Sequence, residues 1–151
     1  MRFIPAWIFG ALTTLAAFAA FAAFAQPAAF AQVYPLINGP GAERGMTEMN
    51  TSGQIGTVTV LNQGAKTGVV LNIKSEPPGN SEPAEIHRSQ QQTCDAYDPT
   101  PSYVLKPVQN GSSRSAVNAP IDKLLSGNYV VVVRSAEKPD HVFSCGHLYS
   151  S

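Results

Sequence analysis

Positive charge is scarce in this sequence. Ten Lys and Arg residues balance ten Asp and Glu across 151 residues, and they are scattered, with no basic cluster. A nucleic-acid groove needs several phosphate-neutralising side chains on one face, so that class of partner is excluded. Histidine is scarcer still: only His87, His141 and His147 occur, and none lies between residues 88 and 140. A redox-cycling copper site needs several imidazoles, and this chain is short of them. No Gly-x-Ser-x-Gly elbow is present, which removes the commonest hydrolase signature. There is no sustained helical period after residue 54, so a helical bundle is excluded as well. Cysteine is limited to Cys94 and Cys145, and the one tryptophan is Trp7.

What is present starts with an unusual first segment. Met1-Arg2 is a short positive stretch, and Phe3 to Ala25 is almost wholly Ala, Phe, Leu and Ile. Two small-residue cleavage patterns follow, Ala23-Phe24-Ala25 and Ala29-Phe30-Ala31. Together they read as a secretory signal peptide over residues 1–31, cleaved after Ala31, rather than a retained membrane anchor. The mature protein is then expected to be periplasmic or secreted, with no membrane span left after cleavage. An oxidising compartment favours a Cys94–Cys145 disulfide. Such a bridge closes a loop of about 50 residues, worth about 4 kcal/mol through the entropy of the unfolded chain.

The remainder divides into a loose, Gly-, Pro- and Ser-rich segment over residues 32–53, with at most one strand, and a β-domain over residues 54–151. Val58 and Val60 alternate with threonines. Asn62 to Lys66 reads as a hairpin turn, and Val69, Leu71 and Ile73 share one face of the returning strand. Ala84 to His87 is a short strand leading into an irregular stretch, Arg88 to Ser102. Loops this long are usually functional or covalently tied down, and Cys94 supplies the tie. Asn110-Gly111 is a turn before a strand over Ser112 to Asn118. Ile121 to Leu125 makes one helical turn ending at Gly127. Asn128 to Ser135 is β-branched on both faces and therefore central, and Val142 to Leu148 closes the chain. The expected class is all-β: an antiparallel sandwich or barrel with one short helical turn.

The motifs Glu85-Ile86-His87, Cys94, Val132-Val133-Arg134 and Ser144-Cys145-Gly146 occur in an order that resembles copper/zinc superoxide dismutases. Ala84-Glu85-Ile86-His87 is also similar to the Ala-x-Ile-His motif of small exported bacterial proteins and chordin-type domains. The resemblance covers residues 54–148 and implies a Greek-key β-sandwich. It would place metal ligands at Glu85, His87 and Arg134, with a bridging histidine in the loop; only His87 is a histidine. Arg134 stays protonated and cannot ligate a metal, and the anion-guiding arginine of the enzymes falls at Val142. The resemblance therefore implies a former metal site without dismutase activity, in which Glu85 and Arg134 form a salt bridge where copper would sit.

Two functions follow as expectations. The first is an exported, non-catalytic domain with a vestigial metal site and no cofactor, acting on an unknown protein or envelope partner, as a monomer or an oligomer. The second is a copper-binding or copper-sequestering protein using His87 and Glu85, with His147 or His141 as a further ligand. Tyr97 and Tyr103 in the long loop are candidates either for an exposed recognition patch or for packing the loop down. Asn50-Thr51-Ser52 and Asn110-Gly111-Ser112 fit the glycosylation sequon, which has meaning only in a eukaryotic secretory route.

Overall fold

The computed structural model describes residues 41–77 and 79–149. The expected signal peptide, with Trp7 and both cleavage patterns, lies outside the described residues.

Ten strands and one short helix are present among the described residues, and every strand pairing is antiparallel. The all-β expectation holds. Strand β1 (Ala42–Glu48) pairs with β2 (Ile55–Gln63), and β2 pairs with β3 (Lys66–Lys74). After β3 come β4 (Ser81–Glu82), β5 (Ala84–Arg88), β6 (Tyr103–Val104), β7 (Val108–Gln109) and β8 (Ser112–Val117). Helix α1 (Ile121–Ser126) then leads to β9 (Tyr129–Arg134) and β10 (Val142–His147). The lateral order is β4-β7-β8-β3-β2-β1-β10-β9-β5-β6.

The expected boundary at residue 54 needs correction. Ala42–Glu48 belongs to the supposedly loose segment 32–53, yet it is a strand paired on both sides, to β2 and to β10. Its composition hides it, because Gly45 and alternating charged residues depress every apolar signal. Only Met46 on this strand is fully buried. Backbone pairing with two apolar neighbours fixes β1, so local propensity is overridden.

Turn chemistry sets the registers. Gln63 pairs with Lys66 across Gly64 and Ala65, with Gly64 at φ +72° and its N–H donated to the Asn62 side chain. Asn110 and Gly111 both have positive φ, 51° and 75°, the requirement of a tight two-residue hairpin between β7 and β8. Gly111 also meets the β3 backbone closely: a Cβ there would stand 2.7 Å from the Ile73 carbonyl oxygen.

Alternation then builds two apolar layers. Val58, Val60, Val69, Leu71 and Ile73 from one half of the sheet pack with Ala84, Ile86, Val131 and Val133 from the other. The sheet is thus curled around one interior, which α1 closes with Ile121 and Leu124. Val130 and Val132 point to the opposite face, where Val142 and the Cys145 end of a disulfide cover them. That second layer explains why β9 is apolar on both faces.

Candidate functional site

On β5 the pleat sends Ala84 and Ile86 inward and Glu85 and His87 to the outer layer. Across the sheet Glu85 stands beside Val132, and Val132 beside Cys145; one rung on, His87 stands beside Val130, and Val130 beside His147. Arg134 lies two residues beyond Val132 on the same face of β9. It is therefore a diagonal neighbour of Glu85, within reach of a long side chain. The Arg134 backbone N–H donates to the Pro83 carbonyl at 2.9 Å, which holds that diagonal.

The expected Glu85–Arg134 contact is formed: Arg134 Nε donates to Glu85 Oε2 at 3.0 Å. Arg134 Nη1 also donates to the Pro139 carbonyl at 3.1 Å. His87 joins the same group. Its Nε2 lies 3.0 Å from Glu85 Oε2 and 3.3 Å from Arg134 Nη2. The other ring nitrogen, Nδ1, is 2.7 Å from the Asp98 carbonyl oxygen. A carbonyl only accepts, so Nδ1 carries a proton and donates. That leaves Nε2 as the one adjustable atom: without a proton it accepts from Arg134, and with one it donates to Glu85.

The loop after β5 seals this group. Its anchor is the Cys94–Cys145 disulfide, whose ends have a sequence separation of 51. Ser89 N–H donates to the Asn128 carbonyl at 2.6 Å, and Asp98 N–H donates to the Arg88 carbonyl at 2.7 Å. The buried Ser89 hydroxyl accepts from Thr93 N–H and is shared between the Thr93 and Ala96 carbonyls, each contact 2.9 Å. These ties bring the Asp98 carbonyl and the Tyr97 ring onto His87, the two ring centroids 4.9 Å apart. The Arg134 guanidinium stands 5.7 Å from the centre of the same Tyr97 ring, a cation–π contact. His87 ends fully buried, with Glu85 and Arg134 at 22% and 15% exposure.

The other candidates lie apart from this group. His147 is two strands from His87 with Val130 between them, and its ring packs edge-on against Tyr149. His141 packs on Phe143. Tyr97 packs the loop down on His87, and Tyr103 leans on Tyr129 at the edge of the interior, both side chains partly buried. Among the described residues, no three His, Cys, Asp or Glu side chains are grouped to hold a metal ion. Beside the ion pair runs an open cleft of about 520 Å³ lined by Asn50, Asp95, Tyr97, Pro99, Arg134 and Asp140. Sequence reasoning missed the Asp98 carbonyl and the Ser89 knot; a backbone acceptor leaves no signature in side-chain identity.

The residues do not fit copper or zinc. The imidazole nitrogen free to ligate, Nε2, faces a guanidinium. Bringing a cation to about 4 Å from that charge costs about 4 kcal/mol per unit charge at an effective dielectric of about 20, and the Glu85 carboxylate that would oppose this is already engaged by Arg134. No known protein family, curated protein or solved structure matches the chain.

Proposed function

We propose that the chain is an exported, non-catalytic β-domain of the superoxide dismutase-like type, with an internal ion pair in place of the metal. It acts by binding a protein or envelope partner. The observation that carries this reading is the approach of Arg134 Nη2 to within 3.3 Å of His87 Nε2. That contact puts a permanent cation where a metal would need a lone pair.

The strand order supports the fold type. After β3 the chain places β4 at one edge of the sheet and β5 and β6 at the other, β7 and β8 return to the β3 side, and β9 crosses back to lie between β5 and β10. The last strand then lies beside the first, next to the β1-β2-β3 run, an arrangement in keeping with the proposed Greek-key type. The disulfide, which ties the last strand to the loop after β5, is in keeping with export to an oxidising compartment.

Calorimetric titration of the oxidised protein with Cu(II) and Zn(II), beside a His87→Ala variant, tests the reading. The expected result is no saturable binding that distinguishes the two proteins. One-site Cu(II) binding of about micromolar or tighter affinity, lost in His87→Ala, would replace it with the copper-sequestering function.

A further inference from the structure

A second polar cluster is buried with no cation in it among the described residues. Glu82 on β4 is 1% exposed and Gln54, just before β2, is 2% exposed. Gln54 Nε2 donates to Glu82 Oε1 at 2.7 Å. The remaining oxygens of both groups, Glu82 Oε2 and Gln54 Oε1, are buried without a hydrogen-bond partner among the described residues. A carboxylate and an amide joined by one such bond have one acceptor left on each side. Two buried acceptors left unpaired are costly, and a single proton shared between them removes both deficits.

We propose that Glu82 is held as a neutral carboxylic acid, closing a two-bond ring with the Gln54 amide that latches the edge strand β4 onto the start of β2. Glu82 Oε2–H donates to Gln54 Oε1 while Gln54 Nε2–H donates to Glu82 Oε1. The surroundings favour the neutral form. Opposite Glu82 on β7 is Val108, fully buried, followed by the uncharged Gln109. Glu76, after β3, is the charged side chain acting on Glu82, and it is itself an acid with one buried unpaired oxygen. The other Glu76 oxygen accepts from Gly111 N–H in the β7–β8 turn. Burial pushes the Glu82 carboxyl above its ordinary value of 4.5; the Gln54 hydrogen bond works against this, and the Glu76 charge adds to it.

The latch has a direction in pH. The folded state binds a proton more tightly than the unfolded chain does, so the latch is fully formed below the ordinary glutamate range. It is lost as the pH rises through the folded-state value. Pro83 follows Glu82 directly and its carbonyl accepts from Arg134 N–H, so an opened latch loosens the entry to β5 just ahead of Glu85.

Glu82→Gln supplies the test, because an amide at this position reproduces the donor and acceptor pattern of the protonated acid. Denaturant midpoints of the purified, oxidised protein are measured from about pH 4 to about pH 9 for the wild type and the variant. The wild-type midpoint is expected to fall with rising pH relative to that of Glu82→Gln, with the two coinciding at the acid end. Infrared spectra should show a protonated-carboxyl C=O stretch in the wild type that Glu82→Gln removes. Parallel pH profiles would overturn the proposal, as would an acid band that titrates no higher than that of an exposed glutamate. So would a wild-type midpoint raised by Ca(II) but unmoved in Glu82→Gln, which would place a metal cation between the oxygens.

Discussion

Glu82 and Glu85 are separated by two residues and differ in almost everything that decides the fate of a buried carboxyl. Glu85 sits on the outer layer, shares one oxygen between Arg134 and His87, and keeps 22% of its side chain exposed. Glu82 faces an amide and another acid, with no cation contact among the described residues, at 1% exposure. The first site satisfies its charge by pairing it; the second calls for a proton. A carboxyl's role is thus set by the face of the sheet it lands on and by what crosses from the next strand, not by its residue type.

Opening the disulfide separates the two sites most strongly. Reduction, or Cys94→Ser with Cys145→Ser, is expected to cost about 4 kcal/mol in unfolding free energy, read from denaturant titration. The loss should fall on the Glu85 side, because the disulfide anchors the loop that lays Asp98 and Tyr97 on His87. Hydrogen exchange should accelerate at the Asp98 amide and leave the β7–β8 pairing slow. Equal acceleration at both would erase the distinction.

Arg134→Met comes next, at about 2 to 3 kcal/mol, since it strands a half-buried carboxylate beside His87. Thermal unfolding of Arg134→Met, Glu85→Gln and the double variant gives the coupling; a coupling near zero would mean that the pair is solvated in practice. Tyr97→Leu keeps an apolar side chain at the site and removes the ring from His87 and the guanidinium. It should cost about 1 kcal/mol, measured in the same way. The smallest effect should be that of Glu82→Gln, within about 1 kcal/mol of the wild type at neutral pH and stabilising in sign. A clear destabilisation there would make Glu82 a second charged site like Glu85.

How much of this was legible in the sequence follows from what kind of signal each feature leaves. Strands β2, β3, β5, β8, β9 and β10 announce themselves by alternation or β-branching, and the Asn110-Gly111 turn by its dipeptide. β1 does not, because its place in the sheet comes from pairing with β2 and β10 rather than from its own apolar content. The short strands β4, β6 and β7 are likewise invisible, being two residues each and defined only by their partners. The Glu85–Arg134 contact was legible because opposite charges fall at positions that converge in the resembling fold. The knot around Ser89 and the Asp98 carbonyl is built from backbone groups, which every sequence contains. Glu82 was missed because it lies next to a proline on a strand too short to show a period, and its partner Gln54 is 28 residues away.

The measurement closest to the central claim is Cu(II) affinity in an Arg134→His variant compared with the wild type. If the guanidinium is what keeps a metal from His87, replacing it with a ligating imidazole should raise Cu(II) affinity by at least about 100-fold, since even half of the estimated repulsion exceeds that factor's cost per charge for a divalent ion. Equal affinity in the two proteins, whether strong or absent, would contradict the proposal that the Arg134 guanidinium keeps a metal from His87.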